Sequence, residues 1–105
     1  MSLYEITKAA SQTVDAKSIV PYKRTVDSVL ASTMSELGET AVEVMIHNGQ
    51  SYKQKGRDGI VGEAVDTILC LLDLIHVVDP SITEEQINEI ARAKCAKWVY
   101  KTTEP

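Results

Sequence analysis

The chain has 105 residues, of which 44% are hydrophobic and 25% charged, and its formal net charge is −4. These values describe an ordinary folded chain of single-domain size, and the acidic balance argues against a dedicated nucleic-acid binder, which presents a basic face. A phosphate-bearing substrate stays open, because a bound divalent cation reverses the local field.

Packing falls to Ala, Val, Ile and Leu, since the sequence holds one Trp, four Tyr and no Phe. Small helical chains of this kind often finish their core by self-association. The longest apolar run, TILCLL, is too short to cross a membrane. The opening MSLYEITKAA lacks the basic stretch and apolar run of a secretory leader. The expectation is one cytoplasmic domain over residues 1–105. Cys70 and Cys95 show no CxxC spacing and read as reduced thiols acting as small hydrophobes.

In chain order, residues 2–16 form a short amphipathic helix with Ser2 as N-cap and Leu3, Ile6 and Ala10 on one stripe. Pro21 suits the first turn of a second helix running to His47, where Asn48 and Gly49 supply left-handed cap chemistry. The polar, glycine-bearing stretch GQSYKQKGRDG reads as a loop. A third helix follows from about Asp58 to Val78. It is apolar around most of its circumference, which predicts burial on two sides and a partner subunit on the second. Asp79-Pro80 stops it. Thr83 with Gln86 has the spacing of a capping box for a fourth helix, which runs to about Lys101 and packs through Ile87, Ile90, Ala91, Ala93 or Lys94, and Trp98. Nothing reads as a strand, so the fold class is all-α.

Two pairs of acids stand out. Glu36 and Glu39 lie three positions apart on the second helix, and so do Glu63 and Asp66 on the third. That spacing puts each pair on one helix face. Glu43 falls in the sector of Glu36 and Glu39, and Thr67 and Asp73 in that of Glu63 and Asp66. If the two helices form an antiparallel hairpin, the two strips oppose each other. Like charges about 4 Å apart repel by roughly 4 kcal/mol at an effective dielectric near 20. Either the acids face water, or a cation sits among them. Mg²⁺, or Mn²⁺ in its place, suits such hard oxygen ligands, and helical bundles build carboxylate metal sites this way.

The pattern E-x-x-E, a spacer, then E-x-x-D resembles the signature of the all-α nucleoside triphosphate pyrophosphohydrolases, the MazG-like group. SELGETAVEVMI is similar to that family's first acid helix, and GEAVDTILCLLDLI to its second. INEIARAKCAKWVYK is similar to its lysine-bearing last helix. The resemblance spans about Ser28 to Lys101. It implies a four-helix MazG-like bundle completed as a homodimer or homotetramer, with Mg²⁺-dependent cleavage of a nucleoside triphosphate to monophosphate and pyrophosphate. Glu36, Glu39, Glu63 and Asp66 would be the metal ligands and catalytic acids. A sister branch, phosphoribosyl-ATP pyrophosphatase, has similar helices, but this chain has Glu39-Thr40 where that branch carries a double acid.

Lys53, Lys55 and Arg57 in the loop, and Lys94 and Lys97 on the last helix, are candidates to bind phosphate; each also reads as an ordinary surface cation. Tyr22, Tyr52 and Trp98 are candidates to stack on a base, although the spacing of Trp98 favours core. His47 reads as a helix-end residue and His76 as core. The competing reading of the whole chain is a non-catalytic helical interaction module. Neither reading involves a nucleic-acid polymer or a membrane as partner.

Overall fold

Short polar side chains set most of the helix boundaries. In the computed structural model, which describes residues 1–56 and 58–105, the chain forms α1 (Leu3–Lys17), α2 (Val26–His47), α3 (Gly59–Val78) and α4 (Glu84–Thr103). No strand occurs among the described residues, and no helix is long and apolar enough to cross a membrane.

Ser2 caps α1 by accepting from the Glu5 amide at 3.2 Å. The second helix starts at Val26, five residues later than the Pro21 start expected from sequence. A reciprocal capping box explains the shift. The Ser28 amide donates to Thr25 Oγ1 at 3.2 Å, and the Thr25 amide donates to Ser28 Oγ at 2.8 Å. At the other end of α2, Gly49 adopts φ +71°. Its amide donates to Ile46 O, and that of Gln50 donates to Met45 O, which closes the paired bonds of a Schellman motif. The box foreseen at Thr83 and Gln86 is present, with both bonds formed.

Helices α2 and α3 pack along each other, and α1 packs on α3. Thr40 meets Thr67 mid-way, Ile46 shares a cavity with Ile60, and Val29 shares one with Asp73. The α2–α3 pair is therefore an antiparallel hairpin. Tyr4, 4% exposed, anchors α1, and its hydroxyl donates to Ile82 O at 3.4 Å.

The fourth helix departs from expectation. It has no buried residue, and Trp98, expected in the core, is 68% exposed. Its apolar stripe has the right period, but α1, α2 and α3 do not pack along it within the chain.

Candidate functional site

The acids of α2 and α3 converge mid-way along the hairpin. Thr40 and Thr67 meet at that point. Their hydroxyls lie 3.1 Å apart, and each also donates to the carbonyl one turn back, Thr40 to Glu36 O and Thr67 to Glu63 O. Glu39 and Asp66 immediately precede these threonines in sequence. One carboxylate oxygen each from Glu36, Glu39 and Glu63 lies within 4.8 Å of the others. Glu36 and Glu63 are half-buried, and Glu39 is exposed. Glu36 Oε2 and Glu63 Oε2 are each shielded from solvent without a hydrogen-bond partner. Asp66 is exposed and lies outside this trio, but its charge acts on Glu36 and Glu63.

The electrostatics follow from the geometry. Desolvation holds the Glu36 carboxyl above its ordinary range, and the charges of Glu39 and Asp66 push it further. Glu63 is raised for the same reasons, desolvation first and then the charges of Glu39, Asp66 and Glu36. The Cys70 thiol, one turn beyond Asp66, is pushed up by burial and then by Glu36, Asp73 and Asp66. The charged neighbours that raise these groups are all acids, so a cation entering the trio meets unopposed negative charge.

Two further acids of the strip have other work. Glu43 is 7% exposed, and its Oε1 accepts from the Gly56 amide at 2.7 Å. It therefore fastens the connecting loop. Asp73 pairs with Arg24, an arginine of the α1–α2 connection. Arg24 also donates from Nε to Asp15 Oδ1 at 2.8 Å and from a terminal nitrogen to Ser11 Oγ at 2.5 Å. Bonding to Asp15 and Asp73 raises the guanidinium pKa, while bonding to Arg24 lowers that of Asp15. This clamp joins α1 to α3 through the residue just ahead of the Thr25 cap of α2.

A cavity of about 340 Å³ lies farther along the hairpin, toward the N-terminal half of α2, lined by Tyr22, Arg24, Ser28, Ser32, Cys70 and Asp73 among others. A second, of about 370 Å³, lies under the loop, with Glu43, His47, Lys55 and Ile60 on its walls. Lys55 thus borders the hairpin's loop end, while Lys53 is simply exposed. Lys94 and Lys97 lie on exposed α4, away from the acids' hairpin. Arg57 lies outside the described residues. Tyr22 reaches the first cavity, but Tyr52 is 96% exposed and touches neither cavity. His76 is buried as expected, and His47 ends α2.

The structure thus brings together three of the four sequence-predicted acids, with the fourth on the adjoining turn. Arg24 was not foreseen, because its partners lie nine to 49 residues away in sequence. No family model matches the chain, and neither a curated protein nor a solved structure is found similar to it.

Proposed function

We propose that the protein is a Mg²⁺-dependent nucleoside triphosphate pyrophosphohydrolase of MazG-like type, a cytoplasmic homo-oligomer that converts a nucleoside or deoxynucleoside triphosphate to the monophosphate and pyrophosphate. The observation that carries this reading is the convergence of Glu36, Glu39 and Glu63, two of which have a shielded carboxylate oxygen without a partner. Hard, anionic oxygens at this spacing suit Mg²⁺, or Mn²⁺ in its place. A shielded, unpaired carboxylate oxygen is costly unless a cation or donor reaches it.

Glu36, Glu39 and Glu63 would hold the ion, which when bound supplies neutralisation of phosphate charge and activation of water. Asp66, on the same face but outside the trio, is the free carboxylate to orient the attacking water and take its proton. The Thr40–Thr67 contact fixes the separation of the helices, and with it the spacing of the acids. The bond broken joins the α- and β-phosphates. Water supplies the oxygen added to the α-phosphorus, and pyrophosphate leaves. The nucleoside has room in the cavity of Ser28, Ser32 and Cys70, one turn of α2 from Glu36, where Tyr22 offers a ring for stacking.

The test is product analysis across a panel of nucleoside and deoxynucleoside triphosphates, with phosphoribosyl-ATP included, in Mg²⁺ and in EDTA. Metal-dependent pyrophosphate, lost in Glu39→Gln, is the expected result. Preference for phosphoribosyl-ATP would assign the sister branch. No release from any substrate, with no Mg²⁺ stabilisation, would overturn the enzymatic reading in favour of a helical interaction module.

A further inference from the structure

Arg24 binds only one oxygen of Asp73. Its guanidinium is committed to Asp73 Oδ2, Asp15 and Ser11, which restrains the Asp73 carboxylate. The other oxygen, Oδ1, is shielded from solvent and has no hydrogen-bond partner among the described residues. The side chain is 17% exposed. It is therefore a desolvated, charged acceptor without a donor, an arrangement that folded chains rarely keep without a use for it.

Asp73 is also part of the wall of the 340 Å³ cavity, with Tyr22, Ser28, Ser32 and Cys70. The other groups there do not choose between donors and acceptors. The Ser28 hydroxyl is taken up by the α2 cap, donating to Thr25 O at 3.0 Å and accepting from the Thr25 amide at 2.8 Å. The Ser32 hydroxyl and the Tyr22 phenol can each donate or accept. The Cys70 thiol, pushed up by burial, stays protonated and does both only weakly. A carboxylate oxygen can only accept. Among the groups of this wall that are not already engaged, Asp73 Oδ1 alone has a fixed demand.

We propose that Asp73 Oδ1 selects the nucleobase, so that the preferred triphosphate carries an exocyclic amino group where a 4-oxo or 6-oxo base carries a carbonyl. The cytosine N4 and adenine N6 amines donate, whereas uracil, thymine and hypoxanthine present an oxygen at that position. An amine supplies the missing donor in a charge-assisted hydrogen bond. A carbonyl leaves Oδ1 unpaired and sets two acceptors against each other. A hydrogen bond to a charged group corresponds to about 10- to 100-fold in discrimination. Asp73 acts on the base and not on the reacting phosphate, so it is a specificity residue rather than a catalytic one. The inference rests on the hydrolase reading above and adds to it the class of base.

Arg24 also fixes what an isosteric swap does. In Asp73→Asn the amide oxygen stays on Arg24, which can only donate, and the amide NH₂ takes the place of Oδ1. An acceptor becomes a donor with no change of shape.

The test compares kcat/KM for Mg²⁺-dependent pyrophosphate release from dCTP against dUTP, and from dATP against dITP. Each pair differs only at the amino or oxo group and the ring nitrogen beside it. The wild type should favour the amino member by about 10- to 100-fold, and Asp73→Asn should erase or reverse that ratio, which a merely structural role would not move. Equal use of both members by the wild type, with turnover still Mg²⁺-dependent, would overturn this inference and leave the hydrolase reading standing. So would a preference that survives in folded Asp73→Asn. If that variant melts below the assay temperature, the wild-type pairs alone decide. Turnover of none of the four would overturn the hydrolase reading and this inference with it.

Discussion

Replacing Arg24 with Met keeps the length and apolar volume of the stem while removing the guanidinium. The loss has two parts of unequal size. The Asp15 side chain is 54% exposed, so its share is that of a surface ion pair, under about 1 kcal/mol. Asp73 is 17% exposed, and its Oδ1 already has no partner. Removing Arg24 therefore leaves both of its oxygens unsatisfied, at a cost of about 1–3 kcal/mol. The total is about 1–4 kcal/mol, and each kcal/mol lowers the melting temperature of a domain this size by roughly 4–8 °C. Calorimetric melts of Arg24→Met and Arg24→Lys measure it; lysine keeps the charge without the fork and should lose an intermediate amount.

The pH dependence supplies an independent check. Hydrogen bonding to Arg24 holds Asp15 below its ordinary value of 3.8. Its contribution is thus complete above 3.8 and lost as pH falls through the lower folded value. The gap between wild type and Arg24→Met should narrow in that acid window. A melt of Arg24→Met within about 2 °C of wild type at neutral pH would refute the clamp, since even 1 kcal/mol shifts the melt further than that.

Three other outcomes are expected. Glu39→Gln should raise the melting temperature in EDTA, because it removes one of three clustered negative charges, and should abolish stabilisation by Mg²⁺; a thermal-shift series with and without metal measures both. Glu36 and Glu63 are raised above their ordinary 4.5 in the fold, so their contribution to metal-free stability should be greatest below 4.5 and fall as pH rises through their folded values. Mg²⁺ should reverse that trend and release protons, which calorimetry in buffers of different ionisation enthalpy detects. Gly56→Ala would place a Cβ 2.4 Å from Glu43 Oε1, forcing the carboxylate off the loop amide at a cost of about 1–3 kcal/mol, seen as a lower denaturation midpoint.

What the sequence disclosed divides by distance along the chain. Ser2, Gly49 and the Thr83–Gln86 box act on backbone groups within three or four residues, so their composition alone located three helix ends. The Thr25–Ser28 box is equally local, but Pro21 offers a competing start, and only the backbone shows which of the two prevails. Glu36, Glu39, Glu63 and Asp66 were legible because helical spacing puts each pair on one face, and the antiparallel hairpin does the rest.

Glu43 and Asp73 share those faces by period, yet their partners are set by tertiary structure. Glu43 meets Gly56 only when the loop folds back, and Asp73 meets Arg24 across 49 residues. For α4, the spacing of Ile87, Ile90 and Trp98 marks an apolar face. Period does not say what that face packs against, and among the described residues no other helix of the chain packs along it.

The account rests most directly on whether Glu36, Glu39 and Glu63 hold a divalent ion. Titrating Mn²⁺ into the metal-free protein at neutral pH, and counting free ion by electron paramagnetic resonance, asks this without reference to any substrate. The account predicts saturable binding at the trio, competed by Mg²⁺ and lost in Glu39→Gln while that variant's helical circular dichroism is unchanged. Binding equal in wild type and Glu39→Gln, or none in either, would contradict it and leave the acids as a charged helix face.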